Sequence, residues 1–325
     1  MIESEFIASL HSIILQSAPL IIAVCGETIT ERAGIVNLSL DGSMLLSAMT
    51  GFVVGYLTNN LWLGFLAAAG VGAFFALIIA FGSIRLGKSQ VAIGFVLTLL
   101  GDDLSAFLGQ NYTRLPGPTL TRFGIPYLED IPFIGPLFFD QDMMVYFSLI
   151  LVGLTWWFLF RTQPGLHLRS VGERPEAAFA RGVHINRIRY LYSIVGGALV
   201  GIAGASYTFS VKIGWSEGHT RGIGWIALAI VIFGGWSPIR GAIGAIFFGA
   251  AKWWATNLQQ NPDTVISPVL LNAIPWLLMI AVLVVVGSNI TERVISYLPT
   301  RMQRPLRNLL RVEPPLALGK NFGDR

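Results

Sequence analysis

Nine apolar stretches, most of them about as long as a bilayer is thick, limit what this chain can fold into. A helix rises 1.5 Å per residue, so about 20 apolar residues cross a hydrocarbon core of roughly 30 Å. Only 12% of the 325 residues are charged, whereas soluble domains carry about 25%. We predict an all-α polytopic membrane protein with about nine transmembrane helices (eight to ten), at residues 6–26, 35–57, 61–81, 90–109, 143–161, 190–210, 222–236, 240–257 and 267–287.

These stretches form one transmembrane domain, residues 1–290, and a tail follows at residues 291–325. The first stretch is expected to be retained, because the residues before it include Glu3 and Glu5 but no lysine or arginine, unlike a signal peptide. The seventh and eighth stretches are short. The segment 234–238, Gly-Gly-Trp-Ser-Pro, separates them and is either a tight turn or a break in one helix.

Lysine and arginine collect in alternate loops, which predicts an orientation in a plasma membrane. Cytoplasmic loops carry an excess of these residues. If the loop at 161–189, with its six arginines, is cytoplasmic, strict alternation places 17 of the 22 basic residues on that side. The others are Arg32, Arg85, Lys88, Arg240, Arg293, Arg301, Arg304, Arg307, Arg311, Lys320 and Arg325. We expect the N-terminus outside and the C-terminus in the cytoplasm.

Two loops stand out. The outer loop at 110–142 has five prolines, which favour turns and short extended pieces over a long helix. It either covers a pore mouth, receives a binding protein or is an inert connection. In the loop at 161–189, Pro175 suits a helix start and Gly182 a helix stop, which predicts about two helical turns from Pro175 to Arg181. Taken alone, this spacing also fits an ordinary amphipathic connector.

No catalytic or cofactor site is predicted. The four histidines lie on different segments without metal-ligand spacing, and no serine or aspartate pattern suggests a nucleophile. The sequence holds no phosphate-binding G-x-x-x-x-G-K-[ST] loop, so any ATP hydrolysis requires another chain. Basic residues flank apolar stretches and form no aromatic-interleaved face, so nucleic acid is not an expected partner.

Three sequence blocks carry a resemblance to a known family. Residues 31–42, ERAGIVNLSLDG, resemble the ERAGVVNIGLEG signature of nucleoside and simple-sugar permeases. Residues 171–178, VGERPEAA, with Arg181-Gly182-Val183, match the core of the EAA loop of importer permeases, although the downstream proline is absent. Residues 233–238, FGGWSP, with Gly241, are similar to the last cytoplasmic turn. The chain thus resembles bacterial ABC importer permeases of the branched-chain amino acid and simple sugar type.

The resemblance implies a type II importer-like bundle that moves a nucleoside or simple sugar. It also implies three protein partners in a bacterial plasma membrane: an ATPase, an extracytoplasmic solute-binding lipoprotein and a second permease. The short N-terminus is similar to that of one partner of a permease heterodimer. The residues expected to couple to the ATPase are Gly172, Glu173, Arg174, Pro175, Glu176, Ala177, Ala178, Phe179, Arg181 and Gly182. The alternative is an ion-coupled secondary transporter or channel for small polar solutes.

The first block has two readings. Asn37 and Asp41 are four residues apart and would share one face of a helix. Polar groups at membrane depth usually face a cavity or a partner, which makes both residues candidates for the translocation path. In the other reading they fix helix packing by hydrogen bonds, while Glu31 and Arg32 form an ion pair at the cytoplasmic edge.

Overall fold

A computed structural model of the chain describes residues 2–129, 131, 135–260, 267–288 and 313–320. Eleven α-helices occur in these ranges: α1 Ile2–Arg32, α2 Leu40–Thr58, α3 Leu61–Ile84, α4 Gln90–Gly109, α5 Met143–Arg161, α6 Gln163–Glu173, α7 Pro175–Ala180, α8 Ile185–Ser206, α9 Ile223–Phe233, α10 Pro238–Gln260 and α11 Pro268–Gly287. The predicted helical membrane fold is confirmed. The tail basic residues Arg293, Arg301, Arg304, Arg307, Arg311 and Arg325 lie outside the described residues.

Each predicted stretch contains a helix, but the count of nine crossings is not confirmed. Six helices in the described part of the chain are long and apolar enough to cross a membrane. They include α1, α2, α3, α4 extended to Tyr112, α5 and α8 extended to Val211. Helix α9 has only 11 residues, about 17 Å at 1.5 Å per residue, so it covers about half of the core.

Local sequence signals set several helix boundaries. The Asn60 side chain accepts the backbone N–H groups of Trp62 and Leu63, at 2.9 and 3.3 Å, and starts α3. Asp142 does the same for α5 by accepting the N–H of Val145 at 2.9 Å. Such caps satisfy donors that the first helical turn leaves without a partner.

Small residues bring the central helices together. An added Cβ at Gly197 of α8 would lie 2.5 Å from the carbonyl oxygen of Gly72 on α3, and one at Gly201 would lie 2.1 Å from that of Ala68. Gly204 approaches the Met44 carbonyl of α2 in the same way. The glycines of α8 therefore make contacts within the subunit, where small residues permit close packing in lipid.

The bundle has two distinct ends. At one, the Arg32 end, the C-terminus of α1 meets the segment after α5 and the turn after α9. At the other, the Asn59 end, α2 gives way to α3 and the outer loop packs on the segment before α9. In that loop, β1 Arg122–Gly124 pairs antiparallel with β2 Asp140–Asp142, with Phe123 opposite Gln141, so the predicted short extended pieces are confirmed.

Several helix boundaries differ from the predictions, and three of the differences change the interpretation. Helix α1 continues to Arg32 instead of ending at residue 26, and α8 starts at Ile185 instead of 190. Helix α2 starts at Leu40, because residues 33–39 form turns and an extended piece. The premise that Asn37 and Asp41 share a helical face is therefore wrong. Helix α6 was not predicted. The segment 234–237 is a tight turn between α9 and α10.

Candidate functional site

The three sequence blocks, far apart along the chain, meet around Arg32. The Arg32 Nε donates to the Trp236 carbonyl at 3.1 Å, and Nη2 donates to the Gly235 carbonyl at 3.3 Å. Its Nη1 lies 3.6 Å from the Glu173 carboxylate. One guanidinium therefore joins the end of α1 to the turn after α9 and to the segment that leads into α7.

Two further contacts tighten this junction. The Trp236 indole Nε1 donates to the carboxylate of the buried Glu31. Gly172 lies directly against the Arg32 backbone, and a Cβ there would come within 2.2 Å of the Arg32 carbonyl oxygen. The predicted ion pair between Glu31 and Arg32 is wrong, because each residue binds a different distant partner.

Helix α7 lies beside this junction and is held at both ends. The Arg174 N–H donates to the Ser170 carbonyl at 2.9 Å, so α6 ends where α7 begins. Gly182 has φ +81° and donates to the Phe179 carbonyl at 2.8 Å, which ends the helix. The predicted short helix is confirmed, with Pro175 in its first turn and Gly182 as its stop.

Packing divides the predicted coupling residues into two sets. Ala178 is buried against Val171 and Ile185, and it anchors α7 to α6 and α8. Gly172 is buried as well, and Glu173 is half-buried beside Arg32. Pro175 is partly exposed, while the outward set is Arg174, Glu176, Ala177, Phe179, Arg181 and Gly182. Phe179 is 62% exposed, which is high for an aromatic side chain beside a packed junction.

Residues 313–320 of the tail pack on the same junction. The Ala317 N–H donates to the Gly172 carbonyl at 2.9 Å, and the Gly319 N–H donates to the Gly34 carbonyl at 3.1 Å. The buried Arg189 of α8 donates through Nη1 to the Lys320 carbonyl at 3.0 Å. Sequence reasoning missed these contacts, since nothing in the local pattern of the tail indicates its binding site.

Asn37 lies in a buried hydrogen-bond network. Its backbone N–H donates to the carboxylate of Glu27 at 3.3 Å, and its side-chain oxygen accepts the Ser39 hydroxyl at 2.7 Å. Both Glu27 and Asn37 are almost fully buried. The network fixes the extended segment between α1 and α2.

Asp41 holds the start of the half-length helix α9. Its Oδ1 accepts the N–H groups of Gly222 and Gly224, at 2.8 and 3.0 Å. A carboxylate at a helix N-terminus satisfies free donors and favours the positive end of the helix dipole. Asp41 is 7% exposed. Asp41 is thus bound to the start of α9, whereas Asn37 is bound to Glu27 and Ser39.

Lys252 of α10 has an internal partner. Its Nζ donates to the Tyr207 hydroxyl at 2.7 Å and lies 4.6 Å from the centre of that ring. A lysine near a helix end usually snorkels to the membrane interface, but this one binds a hydroxyl inside the subunit instead. Among the described residues, no group of three or more His, Cys, Asp or Glu side chains is placed to hold a metal ion.

The helices form an apolar bundle with small residues where they contact each other. Three sequence blocks, distant along the chain, meet at one end of it. These features define a polytopic membrane permease. The chain belongs to the family described as branched-chain amino acid transport system, permease component, which matches residues 9–283. The earlier resemblance is thereby confirmed, and the chain is a multi-pass membrane transport subunit.

Three relatives show how closely the chain follows known permeases. It is 38% identical to the putative glucose ABC transporter permease protein TsgC13 of Haloferax volcanii, covering 86% of this chain and 92% of that protein. It is 34% identical to the nucleoside ABC transporter permease protein NupC of Lactococcus lactis, covering 73% and 78%. It is also 34% identical to the guanosine ABC transporter permease protein NupQ of Bacillus subtilis, covering 74% and 79%.

Proposed function

We propose that this chain is the transmembrane permease subunit of an ATP-binding cassette importer that moves a nucleoside or simple sugar into the cytoplasm. Helix α7 and its flanking residues form the surface that contacts the ATPase. The observation that carries this proposal is the junction at Arg32, where α7 is joined to α1 and to the α9–α10 turn. A force applied to α7 would therefore reach helices that cross the bundle.

The distribution of charge supports an orientation in the membrane. The Arg32 end holds Arg32, Arg169, Arg174, Arg181, Arg187, Arg189 and Lys320, and cytoplasmic ends of membrane proteins carry such an excess. With that end in the cytoplasm, α1 starts outside, and tail residues 313–320 lie on the cytoplasmic side. The outer loop and its β-hairpin then face an extracytoplasmic solute-binding lipoprotein.

The relatives support the substrate class and the partners. The three relatives are named as permeases of a glucose, a nucleoside and a guanosine ABC transporter. Bacillus subtilis also has a second relative, the guanosine ABC transporter permease protein NupP, at 20% identity over 75% of this chain. Two unequal permeases named for one solute support a heterodimer in which this chain pairs with a second permease.

The alternative of an ion-coupled secondary transporter has one structural feature in its favour. Helix α9 is a half-length helix with its N-terminus inside the bundle, as in discontinuous helices of secondary transporters. The relatives, however, are permeases of ABC transporters along most of their length. We therefore prefer the ATP-driven importer.

The test compares two equally exposed phenylalanines at opposite ends. Phe179→Ala alters α7, and Phe123→Ala, at 64% exposure in the outer loop, is the matched control. The permease is reconstituted with its second permease, ATPase and binding protein. We expect Phe179→Ala to lower ATPase association and ATP-driven uptake by about tenfold or more, as for an interface anchor. Phe123→Ala should leave ATPase association unchanged. Equal ATPase association of the two variants would contradict the role of α7.

Uptake competition in the same reconstituted system tests the solute. Unlabelled nucleosides and simple sugars are offered against each labelled candidate, and ATP is withheld in a parallel set. ATP-dependent uptake of at least one such solute supports the proposal. Uptake that needs an ion gradient and no ATP would replace it with the secondary transporter.

A further inference from the structure

An ion pair sits on the outside of the protomer, halfway along its helices. Arg221, in the segment before α9, places Nη2 at 2.8 and 3.0 Å from the two carboxylate oxygens of Asp102 on α4. The Arg221 side chain is 56% exposed and that of Asp102 is 36% exposed. The neighbouring Asp103 is exposed as well.

Two measures of helix length place this pair well inside the bundle, away from the helix ends. The continuous helix from Gln90 to Tyr112 has 23 residues, and Asp102 lies about 18 Å from its start and about 15 Å from its end at 1.5 Å per residue. Helix α9 runs from Ile223 to the turn at the Arg32 end. Its length of about 17 Å puts Arg221 at a similar depth.

Lipid cannot cover such a surface at low cost. Ionised side chains at the bilayer centre are expensive and normally face a cavity or a protein partner. Side chains that snorkel reach the headgroups only from near helix ends, and the pair lies about 15 Å or more from either end. The exposed face of α3 differs from the surface around the ion pair, because its large exposed side chains are apolar and include Leu66, Phe74 and Phe81.

Contacts with α2 hold both residues of the pair in place. Asp41 of α2 holds the N–H groups of Gly222 and Gly224, immediately after Arg221. Gly101, immediately before Asp102, packs against the Gly42 backbone, where a Cβ would lie 2.5 Å from the Gly42 carbonyl oxygen. Two adjacent residues of α2 therefore position both partners of the pair.

We propose that the face carrying Asp102, Asp103 and Arg221 lines the translocation path and is turned toward the second permease subunit. This rests on the proposed function, which supplies that second subunit. Water in the path solvates the exposed charges, and the pair gives a polar solute hydrogen-bond donors and acceptors at the midpoint of its passage. In this arrangement Asp41 acts as a positioning residue for Arg221.

Cysteine accessibility tests the proposal, and the chain suits it because its single cysteine, Cys25, is fully buried. Asp103→Cys probes the proposed path. Phe74→Cys is the matched control, because Phe74 is 59% exposed and lies at a similar depth on α3. Thr58→Cys, at the exposed end of α2, supplies the rate in open water. The assembled transporter is held in nanodiscs, so that a charged methanethiosulfonate reaches both faces.

We expect Asp103→Cys to react within about tenfold of Thr58→Cys, and Phe74→Cys at least about 100-fold more slowly, because lipid suppresses the reactive thiolate. Leu99 is 65% exposed and lies one turn from Asp103 on α4, so Leu99→Cys should also react. This variant replaces Asp103→Cys if the latter does not assemble. Rates at both α4 positions as slow as that of Phe74→Cys would overturn the proposal. Wild-type ATP-driven uptake is measured beside the labelling, so slow labelling with normal uptake rejects this surface and leaves the importer function standing.

Discussion

Arg32 and Glu173 form an ion pair across 3.6 Å between the end of α1 and the segment that leads into α7. The two side chains differ in burial, at 15% and 41% exposure. Arg32 also satisfies two backbone carbonyls of the α9–α10 turn. The pair is therefore the exposed edge of a larger junction, and its two members should not contribute equally to stability.

Arg32→Ala is expected to destabilise the permease more than Glu173→Gln. Loss of the arginine leaves the Gly235 and Trp236 carbonyls without their donor, at a cost of about 2–3 kcal/mol. Glu173→Gln removes a half-exposed charge, worth about 0.5 kcal/mol. Thermal unfolding of the two purified variants in detergent measures the difference. Equal shifts in melting temperature would show that the carbonyl contacts of Arg32 carry little energy.

Gly172→Ala should be damaging although the change is a single methyl group. The added Cβ would come within 2.2 Å of the Arg32 carbonyl, and overpacking of this kind costs about 1–3 kcal/mol. Gly153→Ala on α5 is the control, since an added Cβ there meets nothing within 4 Å. That control should be neutral or slightly stabilising, because alanine favours helix. Comparable melting temperatures for the two variants would contradict the close contact.

We expect the side chain of Asp41 to be needed for a stable, assembled permease. We expect its negative charge to matter less for uptake. Asp41→Ala removes the acceptor for two buried N–H groups and should cost about 2–3 kcal/mol. Asp41→Asn keeps one acceptor oxygen and should unfold at a higher temperature than Asp41→Ala. Normal assembly with undiminished uptake in Asp41→Asn would remove Asp41, as a charge, from the translocation path. Loss of uptake in Asp41→Asn with normal stability would instead indicate that the Asp41 charge takes part in translocation.

The tail segment at 313–320 should detach when its buried residue is enlarged. Ala317 is 4% exposed between Gly172 and Gly34, while its neighbour Leu316 is 61% exposed. Ala317→Phe should cost about 1–3 kcal/mol by overpacking, and Leu316→Phe should have little effect. Hydrogen exchange of the backbone amides of 317–320 reports the result. Faster exchange in both variants, or in neither, would argue against the packed position of the tail.

The sequence predicted the helices well because their signals are local. Apolar stretches of sufficient length indicated the nine helical segments, and the proline and glycine of α7 indicated its start and stop. Helix α2 was predicted to begin at residue 35, since Ile35 and Val36 continue the apolar pattern. The helix begins at Leu40 instead, because the extended segment gains two hydrogen bonds: the Asn37 N–H donates to Glu27, and the Ser39 hydroxyl donates to the Asn37 side-chain oxygen.

The candidate site was less predictable. Resemblance identified the three blocks, but no local pattern shows that Arg32 binds Trp236, which lies 204 residues away. The ion pair of Asp102 with Arg221 spans 119 residues and was equally hidden. Contacts of this kind depend on how helices pack in three dimensions, and a single sequence carries no direct signal for them.

Photo-crosslinking from α7 tests the central claim most directly. A photoreactive amino acid is placed at Phe179, and a second variant carries it at Phe123, which has similar exposure at the opposite end. The complete transporter is irradiated in nanodiscs, and the adducts are identified by mass spectrometry. Our account predicts a cross-link from position 179 to the ATPase, and none to the ATPase from position 123. Cross-linking of the ATPase from position 123 and not from 179 would contradict it.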